Sequence, residues 1–228
     1  EKRLAKPFSP SGNEMSYEMN IPGNLVFRDV VPGFAYYRDD VTNIVWREDQ
    51  HYHPDQRIDC SVAFDTDKEG TWDSRFLPIL NYLDDKKIEA GKVLDVGCNM
   101  GIFVYGATKN KDLDVVGIDM NKHAINRAKS IHPTITDKFI QSNFLRYNFD
   151  DNFHTLVCSD VINHVSNPVK FLEKCNSVLD TDGNLFISYY DFGDKTADSK
   201  RQHWDYVGVG EIITFFSDEV MRDLLDEH

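Results

Sequence analysis

An α/β fold, with a Rossmann-like doubly wound and mostly parallel sheet carrying helices on both faces, is predicted by three features of this 228-residue sequence. From Lys92 onward, short β-like apolar runs alternate with helix-length amphipathic segments, and repeated βαβ alternation is the pattern of a parallel sheet. One run breaks into a glycine-bearing turn, Asp95-Val-Gly97-Cys-Asn99-Met-Gly101, and resumes with helical character. Asp95 and Asp119 lie at the ends of two successive runs, and open α/β sheets bind ligands beyond the carboxyl ends of their strands.

The elements follow in order. Residues 1–22 mix Lys, Pro, Ser, Gly and Asn and read as an extended arm. Three β-like runs follow, Leu25 to Val31, Gly33 to Tyr37 and Asn43 to Arg47, punctuated by Pro32-Gly33 and Asp39-Asp40, which predicts a small antiparallel unit. Residues 48–70 are polar without a period and read as loop or lid. The expected division is therefore 1–70 as arm and β extension and 71–228 as the α/β domain. Phe76, Leu77, Leu80 and Leu83 recur at helical spacing before the first parallel strand, Lys92 to Val96. A helix from about Gly101 to Lys109 leads to the strand Asp114 to Ile118, and a helix from Lys122 to Ser130 carries Ala124, Ile125 and Ala128 on one face. The strands Lys138 to Gln141 and His154 to Ser159 come next. Asn167-Pro168 is an N-cap followed by a first-position proline, opening a helix with Val169, Phe171, Leu172, Cys175, Val178 and Leu179 as its apolar face. The turn 181–184 leads to the strand Leu185 to Tyr190, and the chain closes with Ile212 to Phe216 and a helix capped by Ser217.

Composition narrows the function. A net charge of −13 with pI near 4.9 repels a phosphate backbone, because nucleic-acid affinity depends on Lys and Arg displacing counterions. No nucleic-acid partner is expected. Cys60, Cys98, Cys158 and Cys175 are scattered without a Cys-x-x-Cys pair, which points to a reduced, cytoplasmic compartment without structural zinc. No apolar run reaches membrane-spanning length. The sequence starts at Glu1 rather than Met, so it is expected to be part of a longer multidomain polypeptide.

The turn after the first strand resembles motif I of the class I S-adenosylmethionine-dependent methyltransferases, apolar-apolar-Asp-x-Gly-x-Gly-x-Gly, with Asn99 in place of the middle glycine. Phe153 to His164 followed by Asn167 to Leu172 resembles motif IV and its helix, Leu179 to Leu185 the turn into the fifth strand, and Thr214 to Ser217 the last helix entry. The matches run in order over residues 75–227. A tight turn without ligand or a nicotinamide-binding turn remains the reading of the glycines alone. The resemblance implies S-adenosylmethionine as cofactor and S-adenosylhomocysteine as product. Asp95, Gly97, Asn99 and Gly101 would hold the amino-acid end, Asp119 the ribose hydroxyls and Met120 the adenine face. Asn143 would accept from the adenine amine through its amide oxygen, and Phe144 and Ser159 complete the cofactor-facing set. Asp119 could instead oppose the dipole of the next helix.

Methyl transfer from a sulfonium requires donor and nucleophile held in line, and an alcohol acceptor must lose a proton. His164 is the candidate base, since imidazole titrates near neutrality, with Asp160 orienting it or bonding the acceptor; a purely structural His164 is the alternative. No carboxylate cluster supports a metal, so none is expected. Asp191, Arg201, His203, Trp204 and Tyr206 offer stacking and hydrogen-bonding faces suited to a polar ring. The expected reaction is O-methylation of a small-molecule or glycan acceptor. A methyltransferase for another acceptor and a non-catalytic cofactor-binding module stay open.

Overall fold

The computed structural model describes residues 15–21, 34–39, 41–47, 76–85, 91–111, 113–193 and 212–228. The chain forms two compact units, one built on residues up to 53 with 160–173 and 188–228, the other on 54–159 with 174–187.

The second unit holds a five-stranded sheet in the order β6-β5-β4-β7-β8. Its strands are β4 (Lys92–Val96), β5 (Asp114–Asp119), β6 (Phe139–Gln141), β7 (Phe153–Ser159) and β8 (Leu179–Ser188). The ladders of β4 with β5 and β7, and of β5 with β6, run parallel. This is the expected α/β sheet, with β4 at its centre. Four residues of β4 are buried, which is how a strand covered on both faces reads, as an unbroken apolar run. Helices α1 (Leu77–Asp85), α2 (Ile102–Lys111) and α3 (Lys122–Ile131) add Leu80, Leu83, Phe103, Ala107, Ile125 and Ala128 to one core with Phe76, Val93, Val115 and Phe139. The Phe76 and Phe103 rings meet at 5.1 Å. Each fully buried large apolar side chain stabilises by about 1.5–3 kcal/mol.

Helix α4 (Pro168–Val178) opens as its sequence predicts, with Asn167 Oδ1 accepting from the Lys170 N–H at 3.0 Å. The last helix, α5 (Asp218–Glu227), is capped by Ser217 Oγ, which accepts from Val220 N–H at 3.3 Å. Asp151, ahead of β7, is exposed and pairs with Lys92 at the entry to β4, 2.7 Å away.

The first unit carries an antiparallel sheet in the order β1-β2-β3-β9, from Met15–Ile21, Phe34–Asp39, Val45–Arg47 and Thr214–Phe215. Two expectations change here. Met15–Ile21 is a strand paired with β2, not an arm; Met15, Tyr17, Met19 and Ile21 alternate with Ser16, Glu18 and Asn20, the period-2 signal that the polar flanks obscured. The run at 43–47 is part of an antiparallel unit as predicted, β3 pairing with β2 and β9. Strand β8 begins at Leu179 rather than Leu185, taking in Thr181 to Asn184, with Asp182 in the left-handed region at φ 66°. The Asp39 turn is as predicted: its Oδ1 accepts from Val41 and Thr42 N–H at 2.9 and 3.0 Å. The expected strand at 25–31 and the loop at 48–70 lie outside the described residues.

Candidate functional site

The turn between β4 and α2 is built by three left-handed residues, Gly97 at φ 71°, Asn99 at 50° and Gly101 at 75°. Glycine takes this conformation without a Cβ penalty, and asparagine is the side chain that tolerates it best. Gly101 has a second constraint, since a Cβ there would fall inside the Phe139 ring.

The turn's own N–H groups are largely committed within the protein. Gly97 and Cys98 N–H donate to the Ile118 carbonyl at 2.8 and 3.2 Å, and Gly101 N–H to the Cys98 carbonyl at 2.8 Å. Asn99 N–H donates to Asp119 Oδ2 at 2.9 Å. The first i→i−4 bond of α2, Tyr105 N–H to the Gly101 carbonyl, leaves the amides of 102–104 as helix N-terminal donors.

Asp119 is clamped from both sides. Its Oδ1 accepts from Asn121 N–H at 2.7 Å, and Asn121 in turn caps α3, its Oδ1 accepting from His123 and Ala124 N–H at 2.9 and 3.2 Å. The bonds to both Asp119 oxygens fix the plane of the carboxylate. Asp95 is buried at 3% exposure, and its pKa is pushed well above the usual carboxylate range by burial and then by the neighbouring Asp119 charge. Cys98 beside it is raised by burial first and then by Asp95 and Asp119.

Two acidic groups facing a buried turn favour a cationic guest. Asn99 Oδ1 is buried with no partner among the described residues. Met120, 37% exposed at the end of β5, presents an apolar face, and Gln141 Nε2 holds its carbonyl at 3.2 Å. The residues present therefore fit a ligand with a positive charge, hydroxyls and a flat apolar ring.

Other predicted residues have structural occupations. Asn143 Oδ1 caps a 3-10 turn by accepting from Leu145 N–H at 2.9 Å, so an adenine amine would share that oxygen. Phe144 is buried and packs on Phe149 at 6.1 Å, within a row continuing to Phe153. Ser159 ends β7, half-buried.

On the first unit, Asp160 takes a left-handed backbone, φ 56°. Its N–H donates to Ser188 Oγ, and that hydroxyl donates to Asp160 Oδ1, both at 2.9 Å. His164 closes a 3-10 turn, half-buried, its N–H donating to Val161 at 2.9 Å. Asp191 Oδ1 accepts from Gly193 N–H at 2.8 Å and from Asp218 N–H at 3.2 Å, shaping the turn and the entry to α5. Arg201, His203, Trp204 and Tyr206 lie outside the described residues.

Asn163 is the residue that sequence reasoning passed over. It is fully buried; Nδ2 donates to the Thr214 carbonyl at 2.7 Å and Oδ1 accepts from Tyr190 N–H at 3.0 Å. Ile213 N–H donates to the Asn163 carbonyl at 2.9 Å. The signal was available, since an amide inside Val161-Ile162-Asn163 must find partners if buried. Asn163 thereby holds the turn that carries His164.

A sequence model of the family described as "Methyltransferase domain" matches residues 88–213. The ubiquinone biosynthesis O-methyltransferase of Actinobacillus pleuropneumoniae serotype 5b is 31% identical over 121 residues, 48% of this chain and 50% of that protein. A tRNA U34 carboxymethyltransferase of Campylobacter concisus is 32% identical over 108 residues, 43% of this chain and 35% of that protein. The chain spans about half the length, or less, of these curated relatives. Among solved structures, YcgJ of Bacillus subtilis superposes with a TM-score of 0.54 at 21% identity, covering 64% of this chain and 65% of that one. The likeness extends to a fold shared with coclaurine N-methyltransferase, at TM-score 0.51 and 18% identity, over 70% of this chain and 51% of that one.

Proposed function

The chain belongs to the methyltransferase-domain family, and from that premise we propose that it binds S-adenosylmethionine at the Gly97 to Gly101 turn and transfers its methyl group to a hydroxyl of a small polar acceptor. The observation that carries the cofactor reading is the Asp95–Asp119 pair bracketing the turn, with the buried Asn99 Oδ1 between them in sequence. Asp119 would accept from the ribose hydroxyls, Asp95 and Asn99 would face the amino-acid end, and Met120 would cover the adenine. When bound, the cofactor supplies a sulfonium methyl, and in-line displacement consumes its positive charge.

The chain's own part is orientation and proton removal. His164 would take the acceptor's proton as a neutral imidazole, and Asp160, its carboxylate already set by Ser188, would bond the acceptor or the imidazole. The choice of oxygen as nucleophile is supported by the O-methyltransferase name of relatives that match at 31% identity. A sugar or glycan acceptor rests on the aromatic and polar residues of 201–206; no comparison supports it. A longer multidomain setting and a cytoplasmic location are proposed with it. Among the described residues, no helix is long and apolar enough to cross a membrane.

Calorimetry with S-adenosylmethionine and S-adenosylhomocysteine tests the cofactor reading, and no heat with either ends it. With labelled donor against a panel of glycans, small phenols and carboxylates, O-methylated product is expected. His164→Ala should lower turnover about 10²-fold or more with cofactor affinity nearly unchanged; equal turnover would return His164 to a structural role.

A further inference from the structure

We propose that Ser188 is a positioning residue for the transfer step, fixing both the backbone and the carboxylate of Asp160 with one hydroxyl. The inference rests on the reading above, in which Asp160 meets the acceptor or the His164 imidazole. Ser188 is the last residue of β8 and Asp160 the first beyond β7, and these strands are neighbours in the five-stranded sheet.

The hydroxyl works in both senses on the same residue. It accepts from Asp160 N–H and donates to Asp160 Oδ1, each at 2.9 Å. A serine hydroxyl rotates to suit its surroundings; here its proton and a lone pair are both assigned, so the carboxylate it holds has a set direction. Two residues further along, Tyr190 N–H donates to Asn163 Oδ1 at 3.0 Å. The turn 160–164 is therefore pinned to 188–190 twice, at its first residue by Ser188 and next to His164 by Asn163. Of the two pins, Asn163 is buried and Ser188 is exposed.

Exposure and conformation together assign the Ser188 pin its role. Water can take over bonds made at an exposed hydroxyl with little loss of stability, so holding the fold together is the smaller part of what Ser188 does. Asp160 stands at φ 56°, a backbone that glycine takes freely and that a Cβ opposes. A side chain kept in such a conformation at the end of a sheet strand is one whose direction matters, and strain of this kind collects at functional sites. Without Ser188, the Asp160 N–H and carboxylate both lose the partner that favours this geometry, and the carboxylate is released to its other rotamers.

The test separates direction from stability. Turnover is measured with labelled S-adenosylmethionine and the glycan, phenol and carboxylate panel above. Ser188→Ala should lower kcat about 10-fold, the size of one lost hydrogen bond to a carboxylate. Its melting temperature should fall by no more than about 3 °C, and S-adenosylhomocysteine should bind within about twofold of wild type. Ser188→Thr keeps the hydroxyl on the same carbon and should restore kcat to within about threefold. In an Asp160→Gly background, which keeps the left-handed backbone and has no carboxylate to aim, Ser188→Ala should change the residual turnover by less than about twofold. Full turnover in the alanine variant, a threonine variant as slow as the alanine one, or equal losses in both backgrounds overturns the positioning role. So does a loss of kcat that follows melting temperature across the variants. A wild-type protein that binds S-adenosylhomocysteine yet methylates no member of the panel overturns the reaction reading, and this inference with it.

Discussion

Gly101→Ala is the sharpest probe of the turn. Gly101 lies at φ 75°, where a Cβ costs roughly 1–2 kcal/mol, and that Cβ would fall among Cε1 and Cζ of Phe139. Phe139 is 3% exposed within the core, so the ring has no solvent to retreat into, and forced overpacking of this kind costs about 1–3 kcal/mol. The expected loss is therefore about 2–5 kcal/mol, or roughly 4–20 °C in melting temperature at this chain length. Urea denaturation followed by circular dichroism measures it. The two contributions separate in a Phe139→Leu background, because leucine lacks both clashing atoms; there the glycine substitution should cost only the backbone part, about 1–2 kcal/mol. A loss below about 1 kcal/mol in the wild-type background, or an equal loss in both, would refute the packing argument.

Two further outcomes follow from the site. Asp95 has a raised folded pKa, so its contribution to stability is present below the unfolded carboxylate pKa and is lost as pH rises through the folded value. Asp95→Asn should therefore flatten the decline of stability with rising pH, gaining on wild type towards alkaline pH while binding S-adenosylmethionine more weakly; parallel urea midpoints at pH 5, 7 and 9 would contradict this. Asn163→Ala should strand the Thr214 carbonyl and the Tyr190 N–H, costing about 2–5 kcal/mol in denaturant unfolding, and should also reduce turnover through His164. Unchanged stability would remove the anchoring role.

The sequence by itself determined the parallel sheet, its first strand and the turn at Gly97 to Gly101, because these depend on local signals: apolar runs, helical spacing, caps at Asn167 and Ser217, and residues that tolerate a left-handed backbone. It also placed Asp95 and Asp119 at strand ends, which follows from alternation alone. Only the tertiary structure decided what the turn's amides bond to. Gly97 and Cys98 meet the Ile118 carbonyl and Asn99 meets Asp119 because β4 and β5 are neighbours in register, a long-range fact no window of residues contains. The pairing of β3 with β9, and of β1 with β2, is decided likewise by which edges find each other. Asn163 shows the same limit from the side of chemistry: a polar residue in an apolar stretch announces that it needs a partner, and the partner is named only when distant backbone is brought to it.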